Sequence, residues 1–342
     1  MSTRRLLLSL AACLLLAPLA AAQNAPRLGQ AKPNPKSPDV IRVATYNLLN
    51  LFDNRDDPAL SGDSEDIDDA KPEDQKKAAA DAIRRLDADV LGLEEIESYD
   101  ALSDFVHEYL DGMGYDYIVS IDVGQERGIE QAVISRFPIT EAMVWPHLPL
   151  GGVHPDLYGS KPNQYAGQPV MCRRSPLRVT VEVPANTHGA GAEPYQLTLF
   201  VIHHKSGKYN DYWRNRESVR FVNMIHELEQ QDPDRNIILL GDFNAIISDW
   251  SVQNYRDSGM YDVFGNDRVP DAKQTTHESG RCIDFIFVNS ALNREVKAES
   301  AFVLGVPVRS EADAARYWET SPPPGYASDH MPVAVDIYPQ DR

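Results

Sequence analysis

Carboxylate, amide and imidazole side chains stand at the ends of apolar runs all along this chain, and such groups are the equipment of acid–base work and of cation binding. Asn47 follows the run begun at Ile41, and Glu94 and Glu95 close VLGLEEIE (90–97). His203, His204 and Lys205 end LFVIHHKSG (199–207), and Asp242 and Asn244 occupy GDFN (241–244) directly after NIILL. Asp284 lies inside CIDFIFVN (282–289), while Asp329 and His330 come just before the apolar MPVAV. Taken singly, each Asp or Asn is an ordinary turn or cap former, either Glu a solvated acid, and either of His203 and His204 a half-buried strand residue. Asp284 is the exception: a carboxylate between Ile283 and Phe285 needs a donor such as histidine if so apolar a run is to be buried.

The apolar runs must position these groups. NIILL is short and bounded by Gly241, where the chain can turn steeply, so it reads as a buried strand that delivers Asp242 and Asn244 onto a loop. Similar runs predict strands at 41–46, 89–93, 116–121, 131–135, 177–183, 197–202, 236–240, 283–288 and 332–337. Helical spacing falls between them. Leu102, Phe105, Val106 and Tyr109 make one apolar face, Val219, Val222, Met224, Ile225 and Leu228 another, and KKAAADAIRRL (76–86) is helical by propensity. No long Pro or Gly linker interrupts residues 39–342, so they read as one layered α/β or α+β domain. Residues 23–38, with their prolines, read as a tether.

The chain starts with Arg4 and Arg5, the apolar LLLSLAACLLLAPLA and the small residues before Gln23, the pattern of an export signal cleaved after Ala22. A secreted or periplasmic bacterial protein is expected, with no transmembrane segment left in the mature chain. Loss of two arginines and no acids takes the formal charge from −18 to −20. That acidity disfavours tight, sequence-independent packing on nucleic acid, but screening over about 8 Å leaves a local basic groove effective. Cys13 leaves with the signal, and Cys172 and Cys282 remain as an even pair that an exported protein can join, though spacing alone does not decide it. The acid-rich stretch 53–74 offers ligands for a structural Ca²⁺ or forms a solvated loop.

In chain order, Asn47, the Glu that ends VLGLEE, His203, GDFN and the terminal SDH (328–330) resemble the endonuclease/exonuclease/phosphatase superfamily, whose fold is DNase I-like. The resemblance runs from Arg42 to about Ile337 and takes in ISRFPI (134–139) and IDFIFV (283–288). Glu94 departs from it, standing where the family usually has Gln. The resemblance implies an α/β (α+β) four-layer sandwich of two mixed β-sheets flanked by helices, whose strand-end loops form one cleft for metal-dependent hydrolysis of phosphate esters. It assigns Asn47, Glu95 and Asp329 to a hard cation, Mg²⁺ or Mn²⁺. Asp242 would align and deprotonate the attacking water, with Asn244 holding that water or a phosphate oxygen. His330, oriented by Asp284, and His203 would donate to the non-bridging oxygens, or one of them would protonate the leaving group.

Substrate is read from HHKSGKYNDYWRNR (203–216), where basic residues interleave with Tyr209, Tyr212 and Trp213, as a phosphate track with stacking rings would require. Lys205, Arg173, Arg174, Tyr212 and Trp213 are the candidate contacts to nucleic acid, the expected substrate, and no stable protein partner is implied. HHKS is also similar to the NHxKS stretch of bacterial extracellular nucleases in the superfamily, with Ile202 replacing the Asn. Three alternatives stand: a sphingomyelinase-like lipid phosphodiesterase, a phosphatase of soluble esters, and a non-catalytic binding protein. In the bland reading of 203–216 the rings cover the following helix and the charges are solvated. The loop 305–327, with SPPPG before SDH, is expected to wall the cleft.

Overall fold

Two apolar surfaces on each central strand require two packed layers, and the computed structural model, which describes residues 26–56, 70–267 and 269–342, provides them. The expected export signal and the centre of the acidic stretch offered for Ca²⁺ lie outside the described residues. The chain runs β1 (Ile41–Leu51), α1 (Glu73–Leu86), β2 (Val90–Ile96), α2 (Tyr99–Tyr109), β3 (Tyr117–Ser120), β4 (Glu130–Ser135) and β5 (Ile139–Met143). Two small ribbons follow, β6 (Pro149–Val153) with β9 (Pro169–Met171) and β7 (Leu157–Tyr158) with β8 (Lys161–Pro162). Then come β10 (Leu177–Val183), β11 (Tyr195–His203), α3 (Asp211–Gln231), β12 (Ile237–Asp242), α4 (Trp250–Asp257) and β13 (Tyr261–Asp262). The chain closes with β14 (Asp284–Val288), α5 (Ser290–Asn293), β15 (Phe302–Val303), α6 (Glu311–Ala314) and β16 (Val333–Ile337).

One six-stranded sheet has the order β15-β16-β1-β2-β4-β3 and the other β13-β14-β12-β11-β10-β5. Both are mixed: β1–β2 and β11–β12 are parallel, whereas β16 and β14 flank them antiparallel. Strand periodicity sorts the side chains. Ile238, Leu240, Ile286 and Val288 face the core between the sheets, while Ile237, Leu239, Phe285 and Phe287 face the second core under α3 and α4. Each fully buried side chain of this kind is worth about 1.5–3 kcal/mol. The sheets approach so closely that a Cβ on Gly92 would lie 2.4 Å from Leu240 Cδ1 of the opposite sheet.

Helix α1 covers the first sheet with Ala79, Ala82, Ile83 and Leu86, and its acids Glu73 and Asp74 and bases Arg84 and Arg85 suit its dipole. In α3 the expected face shifts: Trp213 and Phe221 are buried with Met224, Ile225 and Leu228, while Val219 and Val222 are half-buried. The tether expectation also needs correction for residues 26–38. Leu28 is buried, Gln30 bridges Leu304, and Lys36 pairs with Asp87 and Asp89, so this extended segment is part of the packed domain. Cys172 and Cys282 are buried thiols rather than a disulfide, and the Cys172 Sγ–H donates to the Arg174 carbonyl. Among the described residues no helix is long and apolar enough to cross a membrane.

Candidate active site

Parallel pairing puts the carboxyl ends of β1, β2, β11 and β12 at one edge of the sandwich, and the antiparallel β14 and β16 begin there. Asn47 and Glu95 come from the first sheet, with Asp329 and His330 just ahead of β16. From the second sheet His203, Asp242 and Asp284 lie level on adjacent strands. Bulges near the ends of β1 and β2 break the alternation, and Glu95 takes φ 63° beside Leu49 and Asn50 at φ 51° and 56°. Left-handed backbone in non-glycine residues costs about 1–3 kcal/mol and gathers where side chains must be aimed. Asn244, at φ 49°, is a further case. Gly241 turns at φ +138°, where a Cβ would stand 2.0 Å from the Ile202 carbonyl oxygen.

Asp242 is the hub of this edge. Its Oδ1 accepts from the Asn244 backbone N–H at 2.8 Å, and its Oδ2 accepts from Asn244 Nδ2 at 3.0 Å and Asn47 Nδ2 at 3.3 Å. His203 Nε2 stands 3.4 Å and His330 Nε2 3.8 Å from the same Oδ2. His330 Nδ1 is bonded to Asp284 at 2.9 and 3.0 Å, so Asp284 has the histidine partner its apolar strand demanded, with Thr276 Oγ1 accepting from its backbone N–H. That bond leaves His330 Nε2 facing the site. Ser328 joins the two halves of the first sheet's edge, donating to the Asn47 carbonyl at 2.8 Å and accepting from His330 N–H. Glu95 Oε2 accepts from Asn50 N–H at 3.1 Å, and its Oε1 lies 3.7 Å from His203 Nε2.

Burial pushes the Asp242 carboxyl up, opposed by His330 and reinforced by Asp284. Burial works against a charge on His330, yet Asp284, Asp242 and Asp329 together raise it well above the usual histidine range. His203 moves the other way, held neutral by burial and by the Arg174 guanidinium that touches its Nε2. Groups pushed apart in this way divide acid and base roles. His204 has no such place: its ring packs among Phe221, Phe243 and Tyr255 and its Nε2 bonds the Tyr255 hydroxyl at 3.0 Å.

Of the predicted substrate contacts, Arg174 reaches His203 and the His204 carbonyl. Trp213 corrects the stacking expectation, since it is only 1% exposed, its Nε1–H donates to the Met171 carbonyl, and it belongs to the core under α3. Lys205 and Arg173 lie over that ring, Arg173 also pairing with Glu126, and Tyr212 is half-buried against the same core. A different cleft, of about 800 Å³, opens beside Asn244 and is lined by Lys208, Tyr209, Arg214 and Arg281, with Asp211 and Asp249. Two residues beyond the sequence reading also belong here. His277 Nε2 lies 3.2 Å from Asp329 Oδ2, and the buried Lys71 donates to the carbonyls of Leu48 and Leu49. Burial lowers Lys71 to about 8, against the pull of Asp329 and Glu95. The TTHESGR stretch lacks an apolar run to mark His277 as a strand-end residue.

A divalent cation fits this chemistry. Asp329 Oδ1 is shielded from solvent with no hydrogen-bond partner, an arrangement that asks for a positive ligand, and hydrogen bonds hold Glu95 and Asn47 at the same edge. Among the described residues, two groups bring carboxylate and imidazole atoms within 4.8 Å of one another: His277, Asp329 and His330, and Asp242, Asp284 and His330. Glu95 stands outside both.

These residues on this sandwich define a class. The chain belongs to the Endonuclease/Exonuclease/phosphatase family, which it matches over residues 44–330, and members of that family are phosphoester hydrolases that generally use divalent cations. The fold is also that of the human nocturnin catalytic domain with bound sulfate (15% identity, 88% of this chain and 95% of that one, TM-score 0.54). A mannosyl-6-phosphatase from Bacteroides thetaiotaomicron (19%, 87% and 100%, 0.55) and truncated Caenorhabditis elegans TDP2 (16%, 87% and 97%, 0.53) share it too. No curated protein matches the sequence.

Proposed function

We propose that this protein is an exported, divalent-cation-dependent phosphodiesterase that cleaves nucleic acid, with Asp242 aligning and deprotonating the attacking water. Asn47, Glu95 and Asp329 would hold the cation, Mg²⁺ or Mn²⁺, which when bound supplies positive charge to a phosphate oxygen. Asp242 accepts the water's proton, its upward shift bringing it toward the range where a base works best. Asn244 steadies the water through the same carboxylate. The charged His330 ring, braced by Asp284, donates from Nε2 to the oxygen on which charge develops, and Arg174 meets the phosphate from the His203 side. His203 stays neutral and accepts the Arg174 N–H at Nε2, which leaves its own proton on Nδ1.

The observation that carries the nucleic-acid reading is the cleft beside Asn244, where Lys208 and Arg281 meet the half-exposed Tyr209, with the buried Arg214 bonded to the Lys205 and Gly207 carbonyls behind them. Cations and a ring next to the reacting centre suit a chain of phosphates and bases better than a small ester. A lipid reading has one observation of its own: Tyr317 and Trp318 are 61% and 67% exposed on the loop that leads to Asp329. The test is EDTA-reversible hydrolysis by the mature protein with Mg²⁺, Mn²⁺ or Ca²⁺ against plasmid DNA, RNA, sphingomyelin and bis-p-nitrophenyl phosphate. The proposal expects nicking of DNA or RNA, and Lys208→Glu should raise KM for nucleic acid at least about tenfold while leaving the small ester unaffected. Turnover confined to sphingomyelin or the small ester would reject the nuclease reading.

A further inference from the structure

His277 is unused by the mechanism above, yet it is the closest partner of a proposed cation ligand. The segment Thr276–Glu278 lies antiparallel to Asp329–Met331 through an isolated bridge: His277 pairs with His330, Glu278 N–H donates to the Asp329 carbonyl at 2.7 Å, and Met331 N–H to the Thr276 carbonyl at 2.8 Å. The ring is therefore carried on fixed backbone. It stands edge-on to the His330 ring with centroids 4.8 Å apart.

Hydrogen bonding decides which ring nitrogen carries the proton. Nδ1 accepts from the Ser279 backbone N–H at 3.0 Å, so it must present its lone pair. The Ser279 hydroxyl, 2.8 Å from the same Nδ1, accepts in turn from Arg281 Nε at 2.9 Å, which directs its own proton to Nδ1. In the neutral ring the hydrogen is then on Nε2, which stands 3.2 Å from Asp329 Oδ2. The other oxygen, Oδ1, makes no hydrogen bond and is shielded from solvent, with His330 Nε2 3.8 Å away.

We propose that His277 is a positioning residue: the relay Arg281–Ser279–His277 occupies one oxygen of Asp329 and leaves the other alone to bind the cation. The relay starts at the cleft wall, since Arg281 also lines the space beside Asn244, and so it links substrate-side and cation-side halves of the centre. His277 does not itself ligate the cation, because the nitrogen that faces Asp329 is the protonated one. The inference rests on the reading of Asp329 as a cation ligand, and it is independent of the substrate.

Two measurements on the mature protein, both made without substrate, test it. Nitrogen-15 NMR of wild-type protein should find His277 as the Nε2–H tautomer, and titration calorimetry with Mn²⁺ and with Mg²⁺ should find His277→Ala weakened about 10- to 100-fold for both ions. His277→Gln, which keeps an N–H donor, should recover part of the loss. A proton on Nδ1 in the wild type, or folded His277→Ala binding both ions as tightly as wild type, overturns the inference. Loss of Mn²⁺ affinity with Mg²⁺ affinity intact would make His277 a direct ligand and overturn it too. Failure of the wild type to bind either ion would instead remove the cation reading itself.

Discussion

At the residue scale the site turns on pairs of groups that alter one another. Asp284 keeps His330 charged against the cost of burial. In Asp284→Asn the histidine loses that support and its titration moves down, so the alkaline limb of kcat/KM should shift to lower pH by about one unit or more, with a loss of roughly 10²-fold at pH 8. A profile with its alkaline limb unmoved would remove His330 from the mechanism. The stability that His330 contributes is full below its unfolded value of about 6.5 and is lost as pH rises through its raised folded value, so this variant loses most in acid. Glu94 shows what a residue's type does not reveal. In sequence it is an extra acid beside a cation ligand. In the fold it points the other way, fully buried, with Oε1 accepting from Thr45 and Oε2 unpartnered. Burial raises it well above the ordinary glutamate range, opposed by the Thr45 bond. The raised carboxyl favours folding below about pH 4.5 and loses that contribution as pH climbs. Glu94→Gln should therefore keep wild-type activity and melt at higher temperature than wild type at pH 8, and a lower melting temperature there would refute a neutral Glu94.

At the scale of elements, much was legible because it was local. Apolar runs at period two mark the central strands, and β11, β12 and β14 were readable to within a residue or two, whereas β2 runs three residues past its expected end. The edge strand β5 was not: its ITEAM is almost wholly exposed and carries no alternation to read. Nor did the Pro-rich segment announce that it packs, since its bonds run to residues such as Ser300 and Asp87, far away in the chain. Trp213 misled for a related reason. Its basic neighbours in sequence look like a binding track, whereas the helix turns the ring inward and leaves Tyr209 outside. Gly241 was legible as a turn former, and its demand is quantitative. Gly241→Ala drives a Cβ into the Ile202 carbonyl at a φ that alanine resists, so thermal or urea unfolding should register a loss of at least about 2 kcal/mol. A change under about 0.5 kcal/mol would mean that the strand end relaxes freely and does not hold Asp242 by strain.

For the whole molecule, two mixed sheets bring carboxylate, amide and imidazole side chains from opposite layers to one edge, and the order of motifs along the chain was enough to foresee that convergence. What order could not supply was the partner of Asp329 or the cleft beside Asn244, because both are made by loops whose course depends on tertiary contacts. The chain is strongly acidic, yet Arg174, Lys208 and Arg281 bring positive charge to this edge and its cleft. Everything proposed for catalysis nevertheless passes through one carboxylate. The most direct measurement is the single-turnover rate of phosphodiester cleavage at saturating Mn²⁺ for wild type and Asp242→Asn, with folding of both checked by thermal melting. The account predicts a loss of about 10²- to 10⁴-fold in a variant that remains folded. A folded Asp242→Asn protein that cleaves at the wild-type rate would contradict it.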